Sequence, residues 1–277
     1  MSLDLLPEDC FAHIISLTSP GDACRLSSVS LSVHSIANLD SLWVRFLPSD
    51  YRQILSRLVH PVVFSSNKEL FMRLCCPRLI DGGRKIFSLQ KSTCKKCYLL
   101  SARELSITWS SYPLYWTWKP LVESRFAEVA ELRTICWLEI SSTVNTQMLS
   151  PKTFYGAYLI VKFAERAYGL DTFPSEVSVQ VGNIRSQGQV YLSRNERKKQ
   201  LPKQLFGLNQ VEAFRTRMFQ GEKEALFERK DGWVEIELGS FYNDGNDKEV
   251  NMSLKEVKGQ HLKGGIIVEG IELRPKD

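Results

Sequence analysis

From Arg103 to the C-terminus the apolar residues fall in short runs rich in Val, Ile, Phe, Tyr and Trp, broken by Gly, Asn, Asp and Ser, and this constrains the fold more than any other feature. The runs are RTICWLEI, TFYGAYLIVKFA, EVSVQV, QVYLS, GWVEIEL, KEVNMSLKEV and GGIIVEGIELRP. Such residues suit a pleated surface, and such breaks suit turns. In WVEIEL the alternation sends Val234, Ile236 and Leu238 to one side and Trp233, Glu235 and Glu237 to the other. Many short strands with one wet face predict a β-sandwich or barrel and exclude an α/β enzyme.

The chain before this region has a helical period. In LPEDCFAHIISLT, Pro7 suits a first helical position, Glu8 and Asp9 face the positive helix end, and Phe11, Ile14 and Ile15 recur at helical spacing. SPGDACRLSSVSLSVHSIANL restarts with Ser19 as N-cap and Asp22 three residues later, and Leu26, Val29, Val33 and Ile36 form its apolar stripe. DSLWVRFLP is a third short unit that holds Trp43, Phe46 and Leu47 before Pro48. Three helices in under 50 residues make too small a core, so a partner or the following domain must cover the remaining apolar surface. Residues 49–98 read as a helical connector, from YRQILSRLV and NKELFMRLCCPRL.

Composition narrows the functional classes. A net charge of +5 from 36 basic and 31 acidic residues gives no strong field for nucleic acid, and no apolar run is long enough for membrane insertion. The N-terminal residues lack a secretory pattern and the seven cysteines lack a disulfide framework, which places the chain in the cytoplasm or nucleus. Cys94 and Cys97 have ligand-pair spacing without a second pair, and the four histidines are scattered, so neither a metal nor another cofactor is expected. The basic RNERKK run, within residues 182–230, reads as a solvated loop.

The order LPEDC, SPGDACRLSSVS, LWVRFLP over residues 2 to about 48 closely resembles the F-box, the helical module that docks substrate receptors on the Skp adaptor, and through it the cullin, of ubiquitin ligases. The resemblance implies that Leu6, Pro7, Ile14, Leu26, Val29 and Trp43 contact or support the adaptor interface. The alternative is that they form a private core.

The later segments ARELSITWSSYPLYWTW, FAEVAEL, CWLEI, KTFYGAYLIVKF, DGWVEIELGSFYN and GGIIVEGIELRP resemble the phloem lectins of plants and the related Nictaba-type lectins. The whole chain is thus similar to an F-box fused to such a lectin: an α + β protein with an F-box over 1–48, the connector over 49–98, and an antiparallel jelly-roll-like β-sandwich over 99–277. The resemblance implies binding of N-acetylglucosamine oligomers or N-glycan cores on a glycoprotein client, with Trp109 and Trp116 as aromatic plates and Glu249 and Glu256 as acceptors. A pyranose presents an apolar C–H face and a hydroxyl rim, which suits those residue types.

Two features weigh against a simple transfer. Glu249 and Glu256 are an odd number of residues apart, so on one strand they face opposite sides, and a loop or bulge must intervene if both are to serve one site. The tryptophans also have core packing as their alternative. Two carboxylates beside aromatic rings occur in glycoside hydrolases too, yet nothing around LKEV supplies the apolar pocket a raised carboxyl needs. No ligase active site of its own is seen, which leaves a non-catalytic receptor, or a protein-binding receptor on a lectin scaffold that has lost its sugar.

Overall fold

Local side-chain hydrogen bonds decide where the N-terminal helices begin in the computed structural model, which describes residues 7–192 and 226–276. Helix α1 spans Glu8–Ser16, and Pro7 stands just outside it as the N-cap residue rather than at the first helical position. Helix α2, Pro20–Leu26, opens with a capping box: the Ser19 hydroxyl accepts from the Asp22 N–H at 3.1 Å, and the Asp22 carboxylate accepts from the Ser19 N–H. The sequence reads as one helix beyond this point, but the chain breaks at 27–30 and restarts as α3, Leu31–Ala37. Ser30 causes the restart, because its hydroxyl accepts from the Val33 N–H and offers the backbone a new cap. The single turn α4 (Asp40–Trp43), then α5 (Tyr51–Ser56) and α6 (Asn67–Leu74, capped by Ser66) complete the helices.

Strands start earlier than their period announces. The strands β1 (Arg78–Ile80), β2 (Lys85–Leu89) and β3 (Lys96–Ser101) lie largely inside the stretch read as a helical connector. The remaining strands are β4 (Ser106–Ile107), β5 (Trp116–Lys119), β6 (Val129–Leu132), β7 (Leu138–Asn145), β8 (Thr153–Tyr168), β9 (Ser175–Val181), β10 (Ile184–Val190), β11 (Leu226–Glu228), β12 (Val234–Asn243), β13 (Glu249–Glu256) and β14 (Gly264–Pro275). They form two antiparallel sheets that face each other. The larger runs β1-β2-β3-β14-β8-β12-β11, with β6 also on β14 and β5 on β6, and the smaller runs β10-β9-β13-β7-β4. Most of the 182–230 segment, including RNERKK, lies outside the described residues; its first part is β10.

The two sheets differ in how they meet water. On the smaller sheet the alternation holds: along β13 the residues alternate between exposed and buried, and Ser106, Ser141, Ser253 and Ser178 make a hydroxyl row across the outer face in register. The larger sheet has no wet face at its centre. Phe126, Val129 and Trp233 pack on its outer side with Ile86, Leu99, Tyr158, Ile160 and Ile267. Glu235, expected in solvent, is buried and accepts from the Arg274 guanidinium at 2.6 and 2.9 Å. The covering loop over 121–128 is tied down by the buried Glu269 carboxylate, which accepts from the Arg125 N–H at 2.7 Å, from its guanidinium and from the Ser124 hydroxyl. Strand β8 lies between β14 and β12 and is covered on both faces, which accounts for its unbroken apolar stretch.

A single hydrophobic core runs from the first helix to the last strand. Phe11 and Ile15 belong to it with Trp43, Phe46 and Phe71, which continue to Phe87, Tyr98 and Leu273. The following domain therefore covers the leftover face of the small helical module. Charged groups reinforce the join: Lys96, at the start of β3, pairs with Asp50 at 2.9 Å, and Arg57 donates twice to Asp81 at 2.8 Å.

Candidate functional site

The three clustered tryptophans divide into props and a displayed ring. Trp116 opens β5, is 2% exposed, and donates from its indole N–H to the Thr108 carbonyl at 3.0 Å. Trp118 does the same to the Ser110 carbonyl at 3.0 Å, and the Arg103 guanidinium lies 3.6 Å over its ring. Both indoles reach back eight residues to hold the carbonyls on either side of Trp109. That residue sits in the left-handed region at φ 56°, a conformation a bulky side chain holds only when its surroundings enforce it. Its ring is 42% exposed and packs against Tyr115 at 5.3 Å, with Tyr112 6.3 Å from Tyr115.

Trp116 thus offers no face to a ligand, and core packing accounts for it; Trp109 presents its ring to solvent. Tyr112 and Tyr115 were not singled out in the sequence, although both lie in the same SSYPLY turn. Glu139 lies next to this turn, because its carbonyl accepts from the Thr108 N–H at 3.1 Å. Its carboxylate accepts from Lys255 and from the indole of the exposed Trp137, and the Lys255 ammonium, then the indole, hold it below the ordinary carboxylate range.

The two expected glutamates do not converge. Strand β13 is continuous from Glu249 to Glu256, with no loop or bulge between them, so the parity argument stands and the expected interruption is absent. Glu249 is exposed opposite Asn145 and Glu256 buried opposite Leu138, at the two ends of β7. Seven residues at the rise of a strand separate them by about 23 Å. That is far beyond the roughly 5–9.5 Å between the paired carboxyls of a glycoside hydrolase. Glu256 is 4% exposed, accepts from the Gly259 N–H at 2.9 Å, and forms an ion pair with the equally buried Lys263. Lys263 also donates to the Cys136 carbonyl, so the pair pins the loop before β14 to the start of β7. Burial pushes the thiols of Cys94 and Cys97 up to about 12, which keeps them protonated.

At the other end of the molecule the helices display apolar side chains to solvent. Ile14, Leu17, Val29 and Leu31 are exposed, Pro7 is exposed beside them in sequence, and Leu26 is half-buried. Leu6 lies outside the described residues. Trp43 is fully buried: its indole donates to the Ala37 carbonyl at 2.7 Å, and its ring meets Phe46 at 5.4 Å and Phe71 at 5.5 Å. It packs beneath the helices and offers no surface to solvent. Leu17 and Leu31 are absent from the set that the F-box resemblance implies, and only their exposure in the structure marks them.

Comparisons with known proteins agree with this division. The F-box domain family matches residues 3–45 and the Phloem protein 2 family matches 95–275. F-box protein PP2-B15 of Arabidopsis thaliana is 46% identical over 98% of this chain and 96% of its own length. F-box proteins PP2-B13 and VBF of the same plant are each 45% identical, covering 98% of this chain and 98% and 99% of themselves. A solved GH26-CBM35 mannanase of Podospora anserina aligns with 65% of this chain and 28% of its own at 9% identity and a TM-score of 0.33, and nothing rests on that likeness. No described helix is long and apolar enough to cross a membrane. With a helical docking module in front of two antiparallel sheets and full-length relatives of both parts, this chain belongs to the F-box proteins that carry a phloem protein 2 domain, non-catalytic components of Skp–cullin–F-box ligases.

Proposed function

We propose that the chain is a substrate receptor whose helical end docks on the Skp adaptor and whose sandwich captures a glycosylated client at the Trp109 turn. The observation that carries the sugar reading is the division of labour among the tryptophans: one buried and one half-buried indole fix the turn that holds one exposed ring in a left-handed conformation. Tyr112, Tyr115 and Trp137 extend the aromatic surface, and the Glu139 carboxylate supplies acceptors nearby. Glu249, at the far end of the sheet, is outside this arrangement, and Glu256 acts through the loop that it pins.

Calorimetry with N-acetylglucosamine oligomers tests this. The wild type should bind with micromolar to millimolar Kd. Trp109→Ala should abolish the heat while costing clearly less stability than loss of the buried Trp116 ring. Trp116→Ala should destabilise by about 3–5 kcal/mol. A wild type that gives no heat refutes the sugar reading. One observation favours the alternative, a receptor that binds protein surfaces: the buried pairing of Glu256 with Lys263 removes one of the carboxylates the lectin resemblance assigns to sugar. In that case adaptor binding persists while a glycan array stays blank.

A further inference from the structure

A cavity of about 380 Å³ lies on the outer side of the larger sheet, lined by Gly82, Gly83, Arg84, Ser101, Arg103 and residues 126–128. Ser101 follows Leu99 by two positions on β3, so its side chain leaves the sheet on the same outer side. Ser101 is only 3% exposed, yet its hydroxyl has no hydrogen-bond partner. A buried hydroxyl without a partner is destabilising and calls for an explanation. The cavity wall is prebuilt, because the Glu269 carboxylate holds Ser124 and Arg125, and Phe126 is packed beneath the loop. The opposite wall is a turn of two glycines at φ 64° and 84° with open space where a Cβ would stand.

The charges around the cavity are paired with one another to different degrees. Glu128 is occupied by Arg103, which donates to it at 2.6 and 3.0 Å. Glu104 is shared between Lys85 at 3.2 Å and Arg84 at 3.7 Å, and Lys85 also pairs with Asp81 at 3.1 Å. Arg84 is therefore the loosest cation there, with a side chain 69% exposed. We propose that this cavity binds a small organic oxyanion, a carboxylate or a phosphate monoester, with its charged head between Arg84 and the Ser101 hydroxyl. The volume lies at the low end of the roughly 300–1,000 Å³ of small-ligand sites, room for an organic body beside the head. The proposal does not rest on the sugar reading, although Arg103 joins the cavity wall to the Trp118 ring.

The test is calorimetry on the full chain with phenyl phosphate and benzoate as probes, and with inorganic phosphate and benzyl alcohol as the head and the body alone. At least one of the first two should bind saturably below about 10 mM. The tighter of them identifies the head, and each part alone should bind more weakly. Arg84→Gln and Ser101→Ala should each weaken binding about tenfold, as expected for a lost charge-assisted or buried hydrogen bond. Ser101→Ala should leave the Tm unchanged or higher, and Trp109→Ala should leave probe binding intact. Arg84 is exposed and its variant folds regardless, so it decides the matter if Ser101→Ala does not fold. Absence of saturable heat with both aromatic acids, equal binding of benzyl alcohol, or unchanged affinity in Arg84→Gln would overturn the proposal.

Discussion

Replacing Trp43 separates support of the docking face from contact with the adaptor. In Trp43→Phe the ring plane survives but the indole N–H is lost, and the Ala37 carbonyl at the end of α3 loses the donor it has at 2.7 Å. A buried group stranded in this way costs about 1–3 kcal/mol. Trp43→Ala also removes the contacts with Phe46 and Phe71, and truncation of a fully buried aromatic costs about 3–5 kcal/mol. Against a typical total of about 5–15 kcal/mol, the alanine variant should lose a large share of its stability and the phenylalanine variant a small one. Urea unfolding followed by circular dichroism gives both values, and adaptor affinity is then measured only where the variant is folded. The folded phenylalanine variant should keep nearly wild-type affinity, whereas Leu31→Ser, on the exposed face, should weaken docking without unfolding the chain. If the alanine variant unfolds within about 1 kcal/mol of wild type, the account of this core is wrong.

Other predictions follow from the buried charges. Glu256→Ala should destabilise by about 3–5 kcal/mol because it leaves Lys263 buried and unpaired, while Glu256→Leu with Lys263→Met should recover most of the loss; denaturant midpoints of the two variants give the comparison. Hydrogen bonds from Arg57, then Lys85, lower the Asp81 carboxyl from its ordinary 3.8 to about 2. A carboxyl depressed on folding stabilises above its unfolded value and stops doing so as pH falls through its folded value, so a contribution that solvent screening holds to about 1 kcal/mol should fade between pH 4 and 2. Asp81→Asn should flatten that limb in an acid titration of Tm, and an unchanged acid limb would show that the pair contributes nothing.

Local signals were readable in the sequence, and pairings across the chain were not. The Ser19 capping box and the extent of β14 depend on neighbouring residues, and both appear where the residues place them. The strands β1 to β3 depend on β14, nearly two hundred residues away, and a run such as RLI has too few positions to declare a period of its own. Trp233 and Glu235 read as a solvent face because the alternation in WVEIEL is local, whereas Trp233 is covered by a loop that Glu269 fixes from another strand and Glu235 is covered by Arg274. At the site, residue types were legible and their depth was not. Trp109 and Trp116 are the same residue in the same short stretch, and only the turn geometry sends one outward and the other into the core.

The continuous core between the helices and the sheets makes this receptor a stiff lever instead of two beads on a string. A flexible tether lets a captured client sample a volume, so many of its lysines come within reach in turn. A lever allows one bearing, so on the proposed function the angle at which a client lies on the sandwich would select which lysines face the ligase. Client choice would then have two stages, adhesion and aim, and a protein held tightly in the wrong orientation would leave unmodified.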